Sequence, residues 1–364
     1  MRTVHPAPAL SLDPFGTRLL PPLPSLPPRR PATPVLPPRM PVPAAQVAAS
    51  GAPSPATAPA PATAPAPAAP PAAVRRRSVL DRLRTVERHG REQLRLIRSP
   101  LHGSYRIAVI GAKGGTGRAS VVLALGALLA AERGEPVVAV EAGTHAGSLG
   151  RRVHHRAPGG LPGFAAALRA APAPGTGPGA GSAAAADPAR YLSPAASGLA
   201  VLAGADRPGT LTEADYRAVV GRLAQCYPLT ITDAGTGLLD APMRGVLDLA
   251  DQVIVATTPS VDGAGSAAAT LDWLHAHGYG ELAGRSVTAI SSVRGATRLV
   301  NSADLRAYFG ARCRGVVELP CDEHLAAGGG FDPDRLAHRT RAAVRELAAL
   351  VCSDLWRAGR PTGW

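Results

Sequence analysis

The chain has 364 residues, with 39 Lys+Arg against 26 Asp+Glu for a formal charge of +13, and 4 cysteines. The charge is uneven: residues 1–104 carry 14 basic and 4 acidic side chains, and residues 105–364 the remaining 25 and 22. That excludes a polyanion binder built over the whole chain and leaves a basic arm as the place for such contact. No stretch reaches the ~18 apolar residues of a membrane span, and the four cysteines form no CxxC pairs of the kind a zinc site or disulfide framework needs.

Of the 38 prolines, 22 fall in residues 1–72, where aromatics are nearly absent. Such a segment buries too little apolar surface to offset its ordering entropy, so residues 1–73 are expected to be a disordered Pro/Ala-rich arm. Its PxxP spacings, such as Pro21–Pro24 and Pro34–Pro37, suit either a ligand for an aromatic-lined groove on a protein partner or a plain spacer. The N-terminus lacks the apolar core of a signal peptide. The expected location is therefore the cytoplasm, including the inner face of the membrane.

A basic amphipathic helix is expected over residues 74–100. Ser78 and Asp81 resemble a capping box, Val79, Leu83, Val86, Leu94 and Ile97 recur at helical spacing, and Pro100 marks the stop. Arg75 to Arg98 supply nine arginines on its other faces. The pattern fits contact with an anionic membrane or nucleic acid, and equally a neck whose apolar stripe packs on a folded domain.

From Tyr105 onward short apolar runs alternate with helical patterns. Strands are expected at Arg106–Ile110, Val137–Val140, Leu199–Leu202, Leu229–Thr232, Gln252–Ala256, Val287–Ser291 and Gly315–Glu318. Helices are expected at Thr212–Cys226, Ala264–His277 and Ser302–Cys313, with a long closing helix from about Pro333 to Trp356. The fold class is α/β: a mostly parallel twisted sheet with helices on both faces, covering residues 104–364. Residues 171–188, rich in Gly, Ala and Pro, read as a flexible insertion. His154 and His155 are adjacent but lack a second ligand pair at metal spacing, and read as loop residues.

The chemistry concentrates at Ile107-Ala-Val-Ile-Gly-Ala-Lys-Gly-Gly-Thr-Gly-Arg-Ala-Ser120. A buried strand feeds a glycine-rich turn that opens an apolar helix, the layout of a phosphate cradle. Lys113, Gly114, Gly115, Thr116, Gly117, Arg118, Ala119 and Ser120 are the candidate nucleotide-binding residues.

These residues resemble the deviant Walker A loop of the MinD/ParA-like P-loop ATPase family, K-G-G-x-G-K-[TS]-[TS]. Further segments follow in the family's order. Val138-Ala-Val-Glu141-Ala-Gly143 matches its acidic switch and Ile231-Thr-Asp233-Ala-Gly-Thr-Gly237 its Walker-B-like strand. Asp248 to Pro259, Ser291-Ser-Val-Arg294 and Leu319-Pro-Cys-Asp322 match its later strands and loops. With the proline-rich arm, the architecture is similar to actinobacterial MinD-like proteins associated with type VII secretion.

The resemblance implies ATP and Mg²⁺ as cofactors, a homodimer around nucleotide, and a lysine at 113 that reaches the partner's nucleotide. Lys113 is the sole lysine of the chain. It also implies Asp233 and Glu141 as the acids of the switch, with Asp233 holding Mg²⁺ through water. Arg118 stands where the family has a phosphate-gripping lysine, Ala119 where it has the metal-ligating hydroxyl, and Gly143 where it has a second acid or amide. Each lost charge-assisted contact is worth roughly 1.5–3 kcal/mol, about 10- to 100-fold in rate. The expectation is a weak ATPase or pseudo-ATPase with weak or absent Mg²⁺. The alternatives are an active ATPase, or a partner- or nucleic-acid-binding module working through the basic N-terminal region.

Overall fold

Successive residues of a strand point to opposite faces of a sheet, so a strand apolar at every position must be covered on both sides. The computed structural model describes residues 79–143, 147–153, 157–171, 186–204, 211–240, 242–292 and 300–358. In it β1 (Tyr105–Ile110) behaves in this way from Ile107 onward. Ile107 and Val109 belong to one core layer and Ala108 and Ile110 to the other.

In chain order the elements are α1 (Val79–Ile97), β1, α2 (Arg118–Arg133), β2 (Val137–Glu141), α3 (Gly160–Ala170), β3 (Leu192–Pro194), β4 (Ala200–Leu202), α4 (Glu213–Leu223) and β5 (Leu229–Asp233). Then come α5 (Met243–Leu249), β6 (Gln252–Thr257), α6 (Val261–Ala276), α7 (Gly280–Gly284), β7 (Val287–Ser291), α8 (Ser302–Gly310), β8 (Gly315–Leu319), α9 (Glu323–Ala327) and α10 (His338–Cys352). The eight strands form one sheet in the order β3-β4-β2-β5-β1-β6-β7-β8. Every pairing is parallel except β3 with β4.

One face is covered by α2 and α10 with the end of α1, through Val121, Leu125, Val344 and Leu347. The other is covered by α3 to α8, through Phe164, Tyr216, Val246, Leu271 and Phe309. This is the α/β architecture expected from the alternating pattern. The strand order reverses at β1, with β2 to β5 on one side and β6 to β8 on the other. In such sheets the carboxyl edge at the reversal is where ligands are held.

The starts of α4, α6 and α8 follow local capping chemistry. Thr212 and Asp215 form a reciprocal capping box at α4, and the Ser260 and Asn301 side chains accept from Gly263 N and Ala303 N at α6 and α8. The closing segment departs from expectation. Instead of one helix from Pro333 to Trp356 there is a single 3-10 turn, Pro333–Arg335, an extended Leu336, and then α10; a second 3-10 turn, Leu355–Arg357, ends the run. Pro333 sits in the first turn after an Asp332 cap, which closes that turn locally. The backbone N–H of Ala337 then donates to Asp322 instead of continuing a helix. The antiparallel strand β3, the helices α3, α5 and α7 and the short α9 are elements the apolar pattern did not announce.

The last turn of α1 packs on the domain: Ile97 is fully buried against the α2/α10 layer. Arg133 donates to its carbonyl at 2.5 Å, and Arg98 pairs with Glu132 at 2.9 Å. Arg88, Arg91, Arg95 and Arg98 stay exposed. The arm at 1–73, Arg75 to Arg77, His154 and His155, and most of the 171–188 insertion lie outside the described residues. No helix among the described residues is long and apolar enough to cross a membrane.

Ile97→Ala removes buried methyl groups from a site held on several sides. It is expected to cost about 2–5 kcal/mol, read as a lowered urea midpoint of the full chain.

Candidate functional site

The turn between β1 and α2 lies at the carboxyl edge where the strand order reverses. Its shape depends on missing side chains. Gly115 and Gly117 have φ of 77° and 83°, in the left-handed region that disfavours residues with a Cβ. A Cβ on Gly111 would lie 2.9 Å from the carbonyl oxygen of Ala256, and one on Gly117 would lie 2.6 Å from Ser291 Oγ. Gly117 is also the N-cap of α2, and no side chain caps that helix. The first-turn N–H groups therefore keep the positive end of a 16-residue helix open to the loop.

Arg118 fills the loop's interior. Its Nη1 donates at 2.8 Å to the carbonyl oxygens of both Gly111 and Lys113, and its Nε donates to Asp233 Oδ1 at 3.1 Å. Only 13% of the Arg118 side chain and 7% of the Asp233 side chain are exposed, so the pair is largely desolvated. Asp233 Oδ1 also accepts from Gly235 N at 3.2 Å. Thr116 is buried, with its hydroxyl donating to Lys113 O. Lys113 extends outward and pairs with Asp262 in the first turn of α6.

Strand register sets Glu141 beside Asp233 at the ends of β2 and β5, but their carboxylates face different tasks. Glu141 Oε1 accepts from Leu149 N and Oε2 from Gly204 N, each at 2.8 Å. Both oxygens thus hold the loops after β2 and β4. A Cβ on Gly147 would collide with this carboxylate, and one on Gly204 would lie 2.9 Å from its Cγ. Gly143 faces Gly235 so closely that a Cβ on Gly143 would sit 3.2 Å from the Gly235 Cα. That contact leaves little room at 143 for the acid or amide the family pattern has there.

A cleft of about 410 Å³ opens from the loop, running from Gly115–Ser120 past Asp233, Ser291 and Ser292 to Leu319, Pro320, Leu325 and Ala326. Its polar end is the glycine turn and its far wall is mainly apolar. Ser291 Oγ is buried there without a hydrogen-bond partner among the described residues. Asp322 borders the cleft and accepts from His324 N, Leu325 N and Ala337 N. Burial alone would push its carboxyl up. The backbone hydrogen bonds from Ala337, Leu325 and His324 outweigh that and hold it below the ordinary carboxylate range.

Arg152, on the 3-10 turn Gly150–Arg152, was not among the candidates and also lines the cleft. Its Nη1 donates to Ser120 Oγ at 3.0 Å and its Nη2 to Leu325 O at 3.4 Å. The only sequence signal was an Arg-Arg pair after the switch-like segment; the approach to Ser120 is created by the fold.

The loop fits a chain of phosphates, with glycines for close approach, an uncapped helix start and a guanidinium at its centre. The same residues do not fit Mg²⁺. Position 119 has a methyl group, the Ser120 hydroxyl accepts from Arg152, and Oδ1 of Asp233 accepts from Arg118.

Two stability effects follow. In Glu141→Gln one backbone N–H must face an amide donor, so chemical denaturation should show a loss of about 1–3 kcal/mol. Asp322→Ala should cost a similar amount, about 1–3 kcal/mol, at neutral pH. Because the folded carboxyl is depressed, its contribution is complete above the ordinary Asp pKa of about 3.9 and is lost as pH falls through the folded value. The gap between wild type and Asp322→Ala should therefore narrow in acid, as read from denaturation midpoints across that range.

No family model matches the chain. Over 271 residues, 73% of the chain, it is 32% identical to the ESX-1 secretion-associated protein EspI of Mycobacterium tuberculosis; a second strain's EspI matches equally. The chain spans 39% of the length of these curated relatives. Among solved structures it is similar to a ParA family ATPase from Chlorobium tepidum, with TM-score 0.51, 17% identity, and coverage of 68% of this chain and 98% of that one. It is also similar to the cell division ATPase MinD of Pyrococcus furiosus, with TM-score 0.50, 14% identity and the same coverage. The chain is thus a MinD/ParA-like P-loop protein by fold and, over its matched region, a relative of the secretion-associated EspI proteins.

Proposed function

We propose that the chain binds an adenine nucleotide in the cleft at the β1–α2 turn and acts as a nucleotide-responsive switch or scaffold with little or no hydrolysis. The observation that carries this reading is Arg118, seated on the loop carbonyls and paired with Asp233. A phosphate chain entering the loop meets backbone donors, the start of α2 and a guanidinium. A metal there meets a methyl group at 119, a Ser120 hydroxyl that accepts from Arg152 and an Asp233 whose Oδ1 accepts from Arg118. The apolar wall of Leu319, Pro320 and Leu325 suits a base at the other end of the cleft.

Phosphoryl transfer rests on positioning and charge stabilisation, and both are reduced here. Glu141 is turned into backbone N–H groups, position 143 carries no side chain, and Asp233 serves Arg118. Binding depends less on those groups, because backbone donors and the helix dipole remain.

The likeness to EspI supports a role beside a secretion machine. Within it, we assign the Pro-rich arm to a protein partner and the arginines of α1 to an acidic surface, a membrane or a nucleic acid. Family resemblance supports a homodimer around nucleotide, with Lys113 at the shared face. Among the described residues that lysine is held by the exposed Asp262, a contact worth little in water, so it is free to exchange partners.

Calorimetric titration of the full chain with ATP is expected to show binding, while phosphate release stays at background in wild type and in Asp233→Ala alike. Mg²⁺-dependent turnover abolished by Asp233→Ala would instead establish an active ATPase.

A further inference from the structure

Arg152 has no acid partner among the described residues. Both of its hydrogen bonds go to neutral oxygens, Ser120 Oγ and Leu325 O. The other charged groups lining the cleft are Arg118, Asp233 and Asp322. Asp233 is committed to Arg118, and Asp322 accepts from the backbone N–H groups ahead of α9 and α10. Arg151, beside it in sequence, is exposed and of the same sign.

A half-buried guanidinium without a counter-ion is costly to keep. Burial first, and then Arg151, lower its pKa from the ordinary arginine value. The residue is nonetheless firmly placed. Phe331 N donates to its carbonyl at 2.8 Å, which ties the 3-10 turn to the segment ahead of α10. Its head lies on the third residue of α2, next to the position where the metal-ligating hydroxyl is absent.

We propose that Arg152, together with Arg118, supplies the positive charge that a divalent ion would otherwise bring, so that the cleft takes a polyphosphate chain without metal. The ligand class is a metal-free nucleoside di- or triphosphate: Arg118 meets it from inside the loop and Arg152 from the side of α2. A planar fork accepts two phosphate oxygens at once, and an incoming phosphate would displace only the neutral Ser120 contact. This inference rests on the nucleotide-binding reading above and adds which residue replaces the ion.

The test is a titration of the full chain with ATP, once with Mg²⁺ and once with excess EDTA, on wild type, Arg152→Gln and Arg152→Lys. Inorganic triphosphate serves as competitor. Wild type should bind ATP equally in both buffers, to within about twofold, and Arg152→Gln should weaken binding about 10- to 100-fold, the scale of one charge-assisted contact. Arg152→Lys, which keeps the charge but not the fork, should fall between them, and triphosphate should displace ATP from wild type but not from Arg152→Gln. Thermal melting shows whether each variant is folded, and Arg152→Lys carries the comparison if Arg152→Gln is not. Wild-type binding that appears only with Mg²⁺, or variants that bind like wild type, would overturn the role of Arg152 while leaving nucleotide binding intact. Absence of ATP binding by wild type in both buffers would overturn both.

Discussion

The ion pair between Arg118 and Asp233 is the constraint on which the rest of the site depends. Arg118 starts α2 and Asp233 ends β5, and the same guanidinium also holds two carbonyl oxygens of the turn that leaves β1. One side chain thus fixes the turn, the helix start and the neighbouring strand relative to one another. Because both partners are shielded from water, removing either leaves an uncompensated charge, a defect that typically costs about 3–5 kcal/mol. The seating of the turn and the engagement of Asp233 Oδ1 are two results of this one contact.

Around that pair the carboxyl edge is assembled from close approaches between backbones. Gly143 passes Gly235 so closely that a Cβ on Gly235 would lie 2.8 Å from the Gly143 Cα, and Gly147 and Gly204 crowd the Glu141 side chain. Glu141 answers by accepting from the two loops that lie over it. A buried carboxylate with both oxygens bonded to backbone N–H groups is a fastener between segments. The charge that the family pattern would place over a substrate here holds the loops of β2 and β4 in register.

Much of this was legible in the sequence because it is local. The mainly apolar runs of β1, β2 and β6 and the Leu-Thr-Ile-Thr of β5 read as strands covered on two faces, and the glycine turn between a strand and an apolar helix has the layout of a phosphate cradle. The starts of α4 and α8, capped by Thr212 and Asn301, lie within a residue of expectation, whereas α6 begins at Val261, three residues ahead of the expected Ala264. What was not legible depends on distance. β3 has three residues, ends in Pro194 and exists because β4 offers it an edge. The closing segment breaks because Asp322, fifteen residues earlier, draws the Ala337 N–H out of helical geometry. Arg152 is one of 38 arginines in sequence and becomes distinct only when the fold brings it to Ser120, 32 residues away. The second use of Glu141 likewise needs Gly204, from a loop 63 residues on.

The interlocking of Arg118, Ala119 and Arg152 makes the loop a ratchet under substitution. A hydroxyl restored at 119 would still face an Asp233 neutralised by Arg118. A lysine restored at 118 would free that carboxylate yet leave position 119 bare and Arg152 resting on Ser120. An exchange at 118 breaks the bonds to Gly111, Lys113 and Asp233 that shape the turn, and one at 152 breaks the bond to Ser120.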